Sequence, residues 1–191
     1  MLEHADKVAR RPPNAHLIAE LAHSAPGRAL DAGCGHGAET LWLAAHGWQV
    51  TALDFSANAL AHARSTAEAM GPDVAGRIRW VEGDLAAWVP EQDGFDLVLS
   101  LFVHIAGQVD ELIRRMASSV APGGRLFMVG HTPIDPATGQ PTAAAKQVQI
   151  SVRDVVDALE PEAWQFLVAE QRPRAMAGSG VDAVIVAKRL R

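Results

Sequence analysis

Arg28-Ala-Leu-Asp-Ala-Gly-Cys-Gly-His-Gly-Ala-Glu-Thr40 is the stretch that decides the fold. A run of small and apolar residues leads into glycines at three alternate positions, Gly33, Gly35 and Gly37, and then into a helical pattern. Glycine carries no Cβ and tolerates positive φ, so the backbone there can turn sharply and lie directly against a ligand. A helix starting at Ala38 would aim unpaired N–H groups and a partial positive charge at the same place. Strand, glycine turn and helix in this order describe a cradle for a nucleotide-like cofactor.

Outward from that point the chain repeats the same alternation. Asn14 precedes Ala15–Ala22, which has apolar residues at helical spacing, and Ala25-Pro-Gly27 stops it before a strand at about 28–32. Ala38–His46 reads as a helix ended by Gly47, and Trp48–Asp54 as a second strand. Ser56 is a good N-cap for Ala57–Met70, and Gly71-Pro72 terminates that helix. Arg77–Asp84 is a third strand, and Leu85–Trp88 a short turn. Gly94–Phe102 is a fourth strand, apolar on both faces in its middle, as a buried parallel strand is. Val109–Val120 has helical spacing and stops at Pro122-Gly-Gly124, before a fifth strand at Arg125–Gly130.

The segment 131–149 is rich in Pro, Thr, Gly and Gln and is long for a connector, which marks it as a lid over an active site. Ser151 caps a helix through Leu159, and strands at about 164–171 and 182–188 form a closing hairpin. These elements predict a Rossmann-like, doubly wound α/β fold. Its mainly parallel, seven-stranded sheet would have helices on both faces and a C-terminal antiparallel hairpin. A single domain over 1–191 is expected, with 1–24 as an N-terminal arm and helix.

Composition narrows the function classes. A net charge of −5 disfavours non-specific nucleic-acid binding, which draws on a basic surface. No apolar run approaches the roughly 20 residues of a membrane span, and the first residues contain no apolar signal-peptide core. A cytoplasmic protein without membrane or nucleic-acid partners is expected. The lone cysteine, Cys34, has no internal disulfide partner, and the eight histidines show no metal-ligand spacing. No metal is therefore expected. Cys34 reads as a small residue suited to a tight loop; secondarily, a helix N-terminus there can lower a thiol pKa.

The strand ends carry a consistent set of polar groups: the glycines after strand one, Asp54 after strand two, Asp84 after strand three and Ser100-Leu-Phe102 after strand four. In open α/β sheets this is the edge where ligands bind. An acid at Asp54 can accept from both hydroxyls of a ribose and would repel a 2′-phosphate. The alternate-position glycines differ from the G-x-G-x-x-G spacing of dinucleotide sites, which leaves a nicotinamide-dependent oxidoreductase as the alternative.

Leu30-Asp-Ala-Gly-Cys-Gly-His-Gly37 resembles the first motif of class I S-adenosylmethionine-dependent methyltransferases. Asp54, Gly83-Asp84, Phe95–Phe102 and Val120–Gly124 are similar to the later motifs, in order, so the resemblance covers about 28–130. Pro13-Asn14, Ala44–Trp48 and Val129-Gly-His131 resemble the small bacterial tellurite and thiopurine methyltransferase group. The resemblance implies S-adenosylmethionine as cofactor, a methyltransferase and a small-molecule acceptor.

It further implies that Gly33, Cys34, Gly35 and Gly37 meet the methionine carboxylate, and that Asp31 faces the ammonium. Asp54 would take the ribose and Phe55 lie against the adenine. Asp84 and the Leu85 N–H would read the adenine edge, where Trp88 also lies. Carbonyls at Ser100 and Leu101 would receive the ammonium, with Phe102 and His104 toward the methyl group.

Methyl transfer to an ionised thiol, selenol or oxyanion needs no general base. A hydroxyl or ammonium acceptor would make His104 or His131 the candidate base. The end of strand four lacks the Asn/Asp-Pro-Pro-Tyr/Phe array that resembles nitrogen methylation in nucleic acids and proteins. A non-catalytic S-adenosylmethionine-binding module is the second alternative. Oligomeric state is not legible.

Overall fold

The computed structural model describes residues 11–103, 108–132, 134, 139–141, 149–174 and 180–191. The fold is Rossmann-like α/β, with a mixed sheet of seven strands. The chain divides into two compact units, Met1–Trp88 and Val89–Arg191.

The first unit contains α1 (Ala15–Leu21), β1 (Arg28–Ala32), α2 (Ala38–Ala45), β2 (Gln49–Asp54), α3 (Ala57–Met70), α4 (Pro72–Ala75) and β3 (Ile78–Glu82). Its strands run parallel in the order β3-β2-β1. Arg28 pairs with Gln49 and Ala32 with Leu53; Val50 pairs with Ile78 and Asp54 with Glu82. Beyond their first residues β1 and β2 are buried throughout, which suits their small and branched side chains. Asn14 caps α1 through Oδ1, which accepts from the N–H groups of His16 and Leu17. Ser56 caps α3 as its side-chain type predicts, accepting from Ala59 at 3.3 Å. Gly71-Pro72 ends α3, but Pro72 also occupies the first position of the additional turn α4. Its fixed φ suits that place, where its missing N–H has no helical partner to lose.

The second unit contains β4 (Phe95–Leu101), α5 (Val109–Ser118), β5 (Val120–His131), α6 (Val152–Ala158), β6 (Trp164–Pro173) and β7 (Val181–Arg189). Its strand order is β4-β5-β7-β6. β4 and β5 are parallel, while β7 runs antiparallel to both of its neighbours, β5 and β6. Strand β5 starts before Pro122-Gly-Gly124, not after it. Val120 already pairs with Phe95, the next pair is Leu97 with Arg125, and the intervening residues loop out with Gly123 at φ 80°.

Phe127 and Met128, paired with Val186 and Ile185, are fully or almost fully buried and centre this unit's core. Each such side chain contributes roughly 1.5–3 kcal/mol by leaving water. Gly130 admits the chain returning from the 131–149 segment, because a Cβ there would stand 2.0 Å from the Ile150 carbonyl oxygen. Within that segment Ile134 and Pro141 form an antiparallel bridge. Most of the expected lid, residues 1–10 of the arm, and His104 lie outside the described residues.

Candidate functional site

In the first unit the polar groups gather on the dipeptide Leu53-Asp54 at the end of β2. The Leu53 carbonyl accepts the N–H groups of Gly33 and Cys34 at 2.8 and 3.0 Å. The Asp54 carboxylate accepts the Gly35 N–H at 2.8 Å through Oδ2 and the Ser56 N–H at 2.9 Å through Oδ1. The Asp54 carbonyl takes the Gly83 N–H at 3.0 Å. One strand end thus holds the glycine loop, the start of α3 and the turn after β3.

The three loop glycines adopt positive φ, as their spacing suggests. Gly37 also requires the missing side chain, since a Cβ would meet the Ala63 Cβ at 2.9 Å. The N–H groups of Gly33, Cys34 and Gly35 are used within the protein, and that of Gly37 goes to the Cys34 carbonyl at 2.9 Å. The first turn of α2 has no side-chain cap. The Thr40 N–H bonds to Asp31, so the N–H groups of Ala38 and Glu39, rather than those of the glycines, are the donors left to meet an anion.

Beneath the loop lies a group of buried acids. Asp31 is 3% exposed and accepts the Thr40 hydroxyl at 2.5 Å. Burial, the neighbouring Glu39 charge and, more weakly, Asp54 push its carboxyl up to about 7. Glu39, also buried, accepts the Asn14 N–H at 3.0 Å and pairs with Arg11 at 3.3 Å. Its role escaped the sequence, where it reads as an ordinary first-turn acid. Three acids this close, two of them without a full counter-charge of their own among the described residues, favour a cationic ligand and disfavour a diphosphate.

Cys34 is a small buried residue of the loop, as its place there suggests, and the secondary reading of a lowered thiol pKa is corrected by the structure. Cys34 is buried against Ala52, Leu60, Ile78 and Trp80. Burial and the negative charges of Asp31 and Asp54 push the thiol well above its usual range, outweighing any helix-terminus effect.

Phe55, directly after Asp54, is 78% exposed, an unusual place for a phenyl ring without a ligand. Asp84 is exposed and forms a turn, its Oδ1 accepting the Ala86 N–H at 2.8 Å, while Leu85 is buried. Trp88 lies against Gly83, within 3.6 Å of where a Cβ would stand.

In the second unit, Ser100 and Leu101 are buried at the end of β4, and the Ser100 hydroxyl has no partner among the described residues. Phe102 follows at φ 55°, an uncommon conformation for a bulky residue, pinned by its N–H to the Val129 carbonyl at 2.8 Å. Its ring stacks on His131, with centroids 4.2 Å apart.

His131 belongs to a cluster not anticipated from sequence. Asp182, 1% exposed, pairs in register with His131 across β5 and β7. Its Oδ1 stands 3.1 Å from the His131 Nδ1 and accepts Nε and Nη2 of Arg174 at 3.2 and 3.0 Å. Burial pushes the Asp182 carboxyl up, but His131 and Arg174 outweigh it and hold the group below its ordinary value. Arg174 Nη2 also lies 2.7 Å from His131 Nδ1. The contact joins residues 43 and 51 positions apart, so no local spacing could reveal it.

Comparison with known proteins was made on sequence and on structure. Residues 29–124 match the model of a family described as a methyltransferase domain, which is half of the chain. The chain is 35% identical over 112 residues to the ribosomal RNA small subunit methyltransferase C of Alcanivorax borkumensis, covering 56% of this chain and 33% of that protein. It is 36% identical over 123 residues to the ubiquinone biosynthesis O-methyltransferase of Xanthomonas euvesicatoria, covering 63% and 49%. The chain thus spans a third to a half of the length of these curated relatives. TehB from Haemophilus influenzae superposes with a TM-score of 0.73 at 20% identity, over 92% of this chain and 62% of that one, a likeness of fold.

Proposed function

The chain belongs to the methyltransferase domain family, and we propose that it is an S-adenosylmethionine-dependent methyltransferase acting on a small-molecule acceptor. The buried acid group beneath the glycine loop carries this reading. S-Adenosylmethionine presents an ammonium and a sulfonium, both cations, and no phosphate; NAD presents two phosphates. Asp31, reinforced by Glu39 and Asp54, suits the first and opposes the second.

The chain's own residues would divide the binding work. Asp31 takes the ammonium, and the first turn of α2 the carboxylate. Asp54 keeps an oxygen lone pair on each side beyond its two backbone bonds, and these accept the ribose hydroxyls. Phe55 offers a flat apolar face to the adenine, and Asp84 with the Leu85 N–H reads its edge. The Ser100 and Leu101 carbonyls add acceptors for the ammonium, and Phe102 lines the methyl side. When bound, the cofactor supplies an electrophilic methyl group, whose bond to sulfur breaks as the acceptor's lone pair forms the new bond. Alignment of the two can supply several kcal/mol, up to about 7–11 in favourable cases.

A small acceptor is favoured by the net charge of −5, which gives a polyanion no electrostatic help. One relative named above is a ribosomal RNA enzyme, so an RNA acceptor is the competing outcome. Calorimetric titration with S-adenosylmethionine, S-adenosylhomocysteine and NAD tests the cofactor: the first two bind and NAD does not. Binding of NAD alone would overturn the proposal. A screen of small acceptors and ribosomal RNA, read by release of S-adenosylhomocysteine, then tests the acceptor class. Binding without turnover on any of them would favour a non-catalytic binding module.

A further inference from the structure

We propose that Glu39, clasped by the segment Arg11-Pro-Pro-Asn14, is a positioning residue of the cofactor site, acting through Asp31 to make uptake of the cofactor's ammonium a step that releases a proton. This rests on the methyltransferase reading above and deepens it by tying the N-terminal segment to the residue that takes the ammonium.

Glu39 and Thr40 are neighbours in the first turn of α2, yet they serve different partners. Thr40, fully buried, gives its hydroxyl to Asp31 Oδ2 at 2.5 Å and bonds the same carboxyl through its N–H. Glu39 engages the N-terminal segment instead. Its Oε1 accepts the Asn14 N–H at 3.0 Å and Arg11 Nη2 at 3.3 Å. One carboxylate oxygen thus gathers both ends of Arg11-Pro-Pro-Asn14. The fixed φ of Pro12 and Pro13 limits the conformations in which both ends reach it together. Asn14 also caps α1, accepting from His16 and Leu17, so the clasp sets where that helix starts.

A buried carboxylate costs free energy unless it is paired. Glu39 is buried, while the Arg11 side chain remains 46% exposed, so the pair offsets the Glu39 charge without cancelling it. Asp31 feels what is left. The titratable groups facing Asp31 in this unit are Glu39 from α2, Asp54 from β2 and the Cys34 thiol from the glycine loop. Burial, then Glu39 and more weakly Asp54, oppose ionisation of Asp31, while the Thr40 bonds favour it.

Before the cofactor arrives, a proton on Asp31 relieves this crowding of charge, and its carboxyl stands at about 7. The cofactor's ammonium brings a positive charge that replaces the proton. The O–H bond of the carboxyl breaks, the proton passes to water, and the carboxylate accepts an N–H from the ammonium. Glu39 holds the proton on Asp31, and Arg11, by offsetting Glu39, loosens it. The N-terminal segment therefore sets the pH range over which the exchange occurs.

Calorimetry of S-adenosylhomocysteine binding at pH 7, in buffers of different ionisation enthalpy, counts the protons released. Asp31→Asn supplies the baseline, including any exchange by the ligand's own amine. Above it the parent should release about half a proton, because Asp31 is about half protonated there. Glu39→Gln keeps an oxygen acceptor for the Asn14 N–H but removes the charge, and should release about a quarter or less. Arg11→Gln takes that cation from Glu39 and should release about three-quarters or more. A role in fastening the segment alone would change affinity and leave the parent's count in place. That result, or movement in the opposite sense, overturns the proposal. Failure of S-adenosylhomocysteine to bind would instead sink the function proposed above, and the clasp is then read on the free chain. Carbon NMR of the Asp31 carboxyl, assigned by its loss in Asp31→Asn, should show a titration that moves down in Glu39→Gln and up in Arg11→Gln. Equal midpoints in parent and variants overturn the proposal there.

Discussion

Asp31 is a titratable group placed where its protonation state matters. Its folded-state carboxyl at about 7 lies above the ordinary 3.8, so between those values the folded chain holds a proton that the unfolded chain releases. Stability from this group is present below about 4 and is lost as pH rises through about 7. Asp31→Asn should flatten the urea-unfolding profile between about pH 4 and about pH 7, removing a slope on the order of a few kcal/mol over the range. An unchanged slope would show that Asp31 ionises normally. The same variant should abolish any rise in S-adenosylhomocysteine affinity with pH, because the parent must deprotonate Asp31 to meet the ammonium. Asp54 acts differently, through two backbone bonds at once. Asp54→Asn leaves one of those N–H groups facing an amide NH2, at a cost of about 1–3 kcal/mol. It should lower S-adenosylhomocysteine affinity at least about 10-fold by calorimetry, whereas His131→Gln leaves that affinity near the parent's.

At the scale of elements, what could be read from sequence was what neighbouring residues decide. Ser56 and Ser151 mark their helix starts because a hydroxyl three residues ahead of an N–H is a local matter, and Ser151 with Asp154 completes a capping box. The Gly33, Gly35 and Gly37 turn was legible for the same reason. Strand β5 was misread at its start because its first pair, Val120 with Phe95, is made across the sheet, ahead of a Pro-Gly-Gly that locally looks like a stop. Cys34 was legible as a small loop residue, but the burial that raises its thiol, with the charges of Asp31 and Asp54, comes to it only by folding. Gly37 offers a direct test. An alanine there must adopt φ near 81° and push its Cβ to 2.9 Å from that of Ala63. Gly37→Ala should cost about 2–3 kcal/mol in denaturant unfolding. A cost below about 0.5 kcal/mol would mean that the loop relaxes freely.

For the whole molecule, the family was legible because its motifs are short, ordered and confined to strand ends. The Arg174–Asp182–His131 cluster was not, because the residues meet only when β7 enters the sheet between β5 and β6. Ligand linkage tests the assembled protein: S-adenosylhomocysteine at about 100 times its dissociation constant should add about 2.7 kcal/mol to unfolding, and NAD at the same concentration nothing. Equal stabilisation by both would argue for a general nucleotide site.

The placement of β7 also has a consequence for biosynthesis. Strands β5 and β6 precede β7 in the chain, yet each is bonded to β7 rather than to the other. While the polypeptide is emerging, both therefore present unpaired backbone edges until Val181–Arg189 arrives. Such edges are sites for pairing with another chain. Strand β6 is mostly exposed, and its Glu170 and Arg172, paired at 2.7 Å, with Pro173 at its end, are features that disfavour such pairing during that wait.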